Sequence, residues 1–384
     1  MQFPISLRAH KIAFGMWGMR VSCRPRANEQ RGPGCRQVSD RVKSFIRNSL
    51  IGLLCSVWLG GCVLHVGRPQ ATPPTYRRIT NIKADPHFSY STKYPVHVSG
   101  PAGETRYDEV MHLWFQSTRQ NGQNGNRVDA LYFRSKKPGP KKLVIVLPIW
   151  GTSTYPPSKI AHGYAKHSRG NADTIWILGN NPLFPWKELA DTKTEQQFET
   201  EARQSAERFQ AAVVDLRRLV DWAQHSKNID GSRIGVVGFS MSALVAATLM
   251  GNEPRIEAGV LMLGGANFAD IFSFCGDKAG MVRQHAMTKF GWSLQQYRVF
   301  FSHLFAPADP INYRGHYNPN KLLMINAKHD QCIPPSAKEA LWQLTGRPQR
   351  MTLFYGHRHA FYSLTPLGLN MTRRKIFRFL DRVL

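Results

Sequence analysis

The chain of 384 residues carries a formal charge of +26 and is 42% hydrophobic, with nine Trp and 21 Phe, enough apolar material to bury a large core. Ten Lys/Arg and two acidic residues fall in residues 1–61, an excess of eight, so the remainder keeps a formal +18. That balance suits an anionic neighbour (lipid or acidic polysaccharide) or is simply compositional; with no nucleic-acid motif and no basic run interleaved with aromatics, no nucleic acid is expected as partner. The six cysteines form no C-x-x-C pair and show no metal-ligand spacing, so no metal site is expected, and the separation of Cys275 and Cys332 does not by itself support a bridge.

Residues 42–62 read V-K-S-F-I-R-N-S-L-I-G-L-L-C-S-V-W-L-G-G-C. Lys43 and Arg47 form a basic start, and residues 50–59 an apolar run. The run is too short to span a bilayer, which takes about 17–25 residues, and right for a signal peptide. It ends in Leu59-Gly60-Gly61-Cys62, which resembles the bacterial lipobox: small residues admit a peptidase, and the thiol receives the lipid. The resemblance implies a signal peptide at 42–61, a lipid on Cys62, and anchorage in the bacterial cell envelope, at the periplasmic face of the outer membrane. Residues 1–41, rich in Arg, Gly and Pro, sit awkwardly ahead of a signal. Translation is therefore expected to start near Val42, with 1–41 a misassigned or disordered extension. Residues 62–76 read as a tether to a folded body at 77–384.

Within the body, residues 77–109 predict only loops and edge strands. Residues 110–115 and 128–133 predict two strands around the turn-forming run Gln120-Asn121-Gly122-Gln123-Asn124-Gly125-Asn126, together a hairpin. Residues 141–148 and 174–178 are continuous apolar runs, the mark of strands buried on both faces of a parallel sheet. Residues 194–224 predict the longest helix. It opens on a capping box, Thr194-x-x-Gln197, and Phe198, Ala202, Phe209, Val213, Leu216 and Val220 follow on one apolar face. Strands at 234–237, 258–263, 322–326 and 351–355 follow, with a helix at 242–250 closed by Gly251. Strands alternating with helices imply a mostly parallel sheet flanked by helices. Residues 264–317, rich in Phe, are too long for a crossover and predict a helical cap insertion.

The stretch that organises the chain is Gly238-Phe239-Ser240-Met241-Ser242, where a β-branched strand runs through a glycine turn into a helix of small residues. That arrangement is a nucleophile elbow, which projects a serine hydroxyl above the sheet and sets the next N–H at a helix N-terminus. Ser242 stands where the G-x-S-x-G pattern has its second glycine. A serine needs a base, and the base an orienting acid. Asp330 follows the strand at 322–326, and His357 follows the strand at 351–355 in Gly356-His357-Arg358-His359. The order Ser240, Asp330, His357 is the one expected of this fold. His359 is the rival base and Asp270 the rival acid. The oxyanion donors expected are the N–H of Met241 and an N–H of Ile149 or Trp150, since Pro148 has none; Trp150 equally suits a pocket wall.

From about residue 128 onward the chain resembles the α/β-hydrolase superfamily, above all its bacterial esterase and dienelactone-hydrolase-like branches. The residues that carry this are Gly238-Phe239-Ser240-Met241-Ser242, Asp330-x-x-Ile333-Pro334 and Tyr355-Gly356-His357, with Asp309-Pro310 as a further, structural feature. The resemblance implies an α/β fold and a serine esterase that hydrolyses a small-molecule or lipid ester through an acyl-enzyme, with no cofactor. An inactive hydrolase-fold lipoprotein that binds an anionic envelope component, and an acyltransferase using the same triad, are the alternatives.

Overall fold

Strand β1 (His65–Gly67) lies inside the stretch read as a tether, and it pairs antiparallel with the last strand of the sheet, so these three residues belong to the folded body. The structure is a computed structural model describing residues 65–67, 85–90, 95–117, 127–150, 154–353 and 366–384, all within the unit Cys62–Leu384. The signal peptide, Cys62, and the stretch holding His357 and His359 lie outside the described residues.

β2 (His97–Glu104), β3 (Asp108–Gln116) and β4 (Arg127–Ser135) form an antiparallel meander, with β3 and β4 as the expected hairpin. β5 (Lys141–Val146) and β6 (Ala172–Ile177) are buried almost throughout, because helices cover both faces. Between them runs α1 (Pro157–Ser168), and after β6 come α2 (Trp186–Ala190) and α3 (Glu195–His225). The capping box that opens α3 is formed: Gln197 N–H donates to Thr194 Oγ1 at 3.2 Å, and Thr194 N–H to Gln197 Oε1 at 3.3 Å. β7 (Ile229–Phe239) leads into α4 (Met241–Asn252), and β8 (Ile256–Met262) into the insertion. The insertion holds α5 (Phe268–Phe274), α6 (Lys278–Lys289) and α7 (Leu294–Leu304). β9 (Leu322–Ala327), α8 (Pro335–Leu344), β10 (Gln349–Leu353) and α9 (Pro366–Val383) complete the described chain.

The sheet order is β1-β10-β9-β8-β7-β5-β6-β4-β3-β2. β5 to β10 run parallel, so their C-terminal ends share one edge. β5 has β6 on one side and β7 on the other, which makes it the point where the winding reverses. Loops leaving β5 and β7 diverge there and open a crevice. α3, α4 and the insertion cover one face of the sheet, while α1 and α9 cover the other, through Ile160, Tyr164, Ile376, Phe377 and Leu380. Gly251 does not end α4, which continues to Asn252. A Cβ there would lie 2.7 Å from Tyr313 Cβ, so the glycine admits close packing and is no helix stop.

Candidate active site

Ser240 sits between β7 and α4 with φ 57° and ψ −121°, a backbone conformation that L residues adopt only when their surroundings impose it. The imposing contacts are visible. Ser240 N–H donates to Met262 O on β8 at 2.8 Å, and Ala243 N–H closes the turn on Ser240 O at 2.8 Å. Gly238 is required by proximity: a Cβ there would stand 2.2 Å from Ser242 O and 2.8 Å from Ala243 Cα. Ser242, the departure from the glycine pattern, is fully buried and employed. Its Oγ accepts the Phe239 N–H at 2.7 Å and donates to Phe239 O at 2.9 Å, spanning the turn from within.

Ser240 opens into a cleft of about 210 Å³ whose lining is largely apolar. Ile149 and Trp150, on the loop after β5, form one side, and Met241 and Leu244 lie at the start of α4. Phe268, Ile271 and Phe272 of α5 wall the rest, backed by Phe184, Trp186 and the Phe301 and Phe305 rings of the insertion. The aromatics of residues 264–317 therefore both fill the core and shape the cleft. Met241 and Trp150, the expected oxyanion contributors, line the same cleft as Ser240. Asp330 is buried on the loop leaving β9, and its Oδ1 accepts the N–H groups of Cys332 at 2.8 Å and Ile333 at 2.9 Å. Beneath that loop the buried Lys338 donates to Ala327 O at 2.9 Å. Burial holds the Lys338 ammonium below its ordinary pKa, with the Asp330 charge opposing the shift.

No protein-family model and no curated protein matches the chain. Solved structures do. Acetyl xylan esterase 1 from Thermoanaerobacterium sp. JW/SL YS485 superposes with a TM-score of 0.55, at 14% identity, over 78% of this chain and 95% of that one. The acetyl xylan esterase from Paenibacillus sp. R4 gives 0.54, at 14% identity, over 76% and 89%. The acylaminoacyl peptidase of Pyrococcus horikoshii gives 0.50, at 15% identity, over 73% of this chain and 42% of its own. The chain has the α/β-hydrolase fold.

Set in that fold, several residues have clear positions. Asp270, the rival acid, is ion-paired with Arg298 of α7 and accepts Ser336 Oγ at 3.3 Å, so it joins α5 to α7 and α8. Asp309 has the structural role expected. Its buried carboxylate accepts N–H groups from Asn267 (2.9 Å), Phe268 (2.6 Å) and Ile311 (3.1 Å), fixing the start of α5 where the chain leaves β8. Burial raises its pKa, and the three N–H donors oppose that shift. Cys275 and Cys332 form a disulfide that joins the end of α5 to the Asp330 loop, and both line the cleft. Sequence spacing could not reveal this link, because 57 residues separate the cysteines and only folding the insertion back onto the loop brings them together.

Proposed function

We propose that the protein is a serine esterase, a carboxylic ester hydrolase acting on a small-molecule or lipid ester without a cofactor. The observation that carries this is the left-handed backbone of Ser240 at a strand–helix elbow, opening into an apolar cleft at the switch point of the sheet. In this reading Ser240 Oγ attacks the ester carbonyl as His357 takes its proton, with Asp330 orienting the imidazole. The tetrahedral oxyanion is received by the Met241 N–H at the start of α4 and by a second N–H from the Ile149–Trp150 loop, donors worth about 10²-fold or more each. Collapse expels the alcohol, which takes the proton from His357. Water then attacks the acyl-enzyme by the same route in reverse. Two structural relatives, both acetyl xylan esterases, support ester hydrolysis as the reaction class.

Anchorage through a lipid on Cys62 in the cell envelope belongs to the same proposal. It is supported by the Leu59-Gly60-Gly61-Cys62 run and by the Cys275–Cys332 disulfide, since such bridges persist in oxidising compartments. Turnover of p-nitrophenyl esters of graded chain length tests the activity. Wild type should hydrolyse them, and Ser240→Ala, His357→Ala and Asp330→Asn should each lose about 10³-fold or more in kcat. Absence of turnover by wild type, or an unaffected Ser240→Ala, contradicts the proposal. Mass spectrometry of the mature N-terminus tests the anchor: an unmodified Cys62 rules it out.

A further inference from the structure

The register of the sheet fixes which end of the molecule a lipid on Cys62 would hold. Phe239, the residue before Ser240, aligns with Met262 on β8, which aligns with Ile325 on β9, then Met351 on β10, then Val66 on β1. Val66 is thus level with the residue preceding the nucleophile. β1 runs antiparallel to β10, so the chain N-terminal to Val66 leaves the sheet at the C-terminal edge of the parallel strands, the edge on which Ser240 stands. Cys62 is only three residues before His65, which limits its reach from β1 to about 10 Å. β1 is four strands from β7, about 19 Å across the sheet. An anchored Cys62 therefore keeps the edge bearing Ser240 close to the membrane.

A second observation, independent of the anchor, marks the same end. Among the described residues, six large apolar side chains are exposed, and four of them belong to the insertion helices α5 to α7 beside the cleft: Phe274, Met281, Leu294 and Val299. A fifth, Ile311, comes just before Tyr313, which packs on Gly251 at the end of α4 remote from Ser240. The sixth, Val98, is on β2 and by register is level with Ile177 at the end of β6, so it stands at the same edge, but nine strands and about 43 Å across the sheet from β1. Met281 is the most exposed, at 62%. The exposed cation Lys278 sits three residues from Met281 and lines the cleft. Apolar side chains that enter the acyl boundary beside lysine and arginine heads that meet phosphate are what an anionic bilayer interface binds. The formal +18 of residues 62–384 has the complementary sign.

We infer that the insertion and the edge bearing Ser240 dock on an anionic lipid bilayer, so that the cleft receives its ester from the membrane. This rests on the esterase and Cys62 anchorage proposed above for its function, but the docking surface can be measured without either. The full mature chain carrying Cys62→Ser is titrated with phosphatidylglycerol vesicles and with phosphatidylcholine vesicles. Met281→Glu and Val299→Glu, both at exposed positions, are compared with Val98→Glu. The unsubstituted surface should bind phosphatidylglycerol vesicles, at least tenfold more tightly than phosphatidylcholine. Met281→Glu and Val299→Glu should each weaken that binding by about tenfold, roughly the change that burial of one apolar side chain carries, and Val98→Glu by less than about twofold. All should hydrolyse p-nitrophenyl acetate within about twofold of one another, while hydrolysis of a vesicle-borne ester falls with the insertion variants alone. No vesicle binding, unchanged binding by both insertion variants, or an equal loss in Val98→Glu overturns the docking. Failure of all of them on p-nitrophenyl acetate would instead count against the esterase reading, and the vesicle titration would still decide the docking.

Discussion

Ser242→Gly restores the glycine that the elbow pattern has at this position, and it should damage the protein. The Ser242 hydroxyl is fully buried, accepts the Phe239 N–H at 2.7 Å and returns a bond to Phe239 O at 2.9 Å. Beyond Val237, whose carbonyl receives Leu147 N–H at 2.9 Å, β5 has ended, so no strand ladder from that side supplies Phe239 with a replacement acceptor. Removing the hydroxyl leaves a buried N–H unsatisfied, at about 1–3 kcal/mol. Glycine in the first turn of α4 adds roughly 0.5 kcal/mol relative to serine. Together these give about 1.5–3.5 kcal/mol, or a fall in Tm on the order of 2–5 °C for a unit of this size. The elbow also holds Ser240 at φ 57°, a strain of about 1–3 kcal/mol that persists only while its surroundings enforce it. Loosening the turn should therefore slow reaction of Ser240 more than it disturbs the rest of the fold. Thermal unfolding followed by circular dichroism gives the first quantity, and the rate of fluorophosphonate labelling gives the second. Ser242→Ala should lose the bonds without the glycine contribution and fall between. A Ser242→Gly protein as stable and as reactive as wild type would refute this account of the elbow.

Gly238→Ala drives a methyl into Ser242 O at 2.2 Å, against helix backbone that cannot rotate away. It should cost about 3 kcal/mol or more, measured by chemical denaturation, and abolish turnover; a variant within about 1 kcal/mol of wild type would be inconsistent with the packing described. Asp173 gives a pH-dependent prediction: burial is the main cause that pushes its carboxyl up to about 6, against donors from Tyr132 and Ser135. Because this acid is raised above its ordinary value of 3.8, the folded chain keeps the proton while the unfolded chain loses it. Stability should fall between about pH 4 and pH 6 by about 3 kcal/mol and level off above. Asp173→Asn should flatten that segment of the stability curve, and an unchanged slope would exclude Asp173 as its source. Replacing Cys275 and Cys332 together by serine opens a loop of 57 residues, worth about 4 kcal/mol in chain entropy. The loss should be visible in denaturant midpoints and should equal the effect of reductant on wild type. Reductant acting on the serine variant too would place the effect elsewhere.

The parallel core was legible because strands buried on both faces leave unbroken apolar runs, as at residues 141–146 and 322–327. The long helix was legible from its periodicity and its capping pair. Gly251 was misleading because glycine serves close packing as well as helix ends, and only the position of Tyr313 tells the two apart. α9 escaped the sequence reading even though its buried Ile376, Phe377 and Leu380 fall at helical spacing. Arg373, Arg374, Lys375 and Arg378 lie among them and interrupt the apolar run. Ser240 and Asp330 were picked out as candidates from residue type at strand ends, and the structure places Ser240 directly after β7 and Asp330 three residues after β9. The purpose of Ser242 was not legible, since a hydroxyl bridging its own turn leaves no trace in spacing. The role of Asp309 could be anticipated only as structural; its three backbone donors come from both ends of a segment that folds back on itself.

The central claim is that Ser240 is a nucleophile activated by His357 and Asp330. It is tested most directly by treating the full chain with a fluorophosphonate probe and mapping the adduct by peptide mass spectrometry. The account predicts one adduct, on Ser240, absent from Ser240→Ala and formed at least about 10²-fold more slowly in His357→Ala. No adduct on wild type, or an adduct that survives Ser240→Ala, would contradict it.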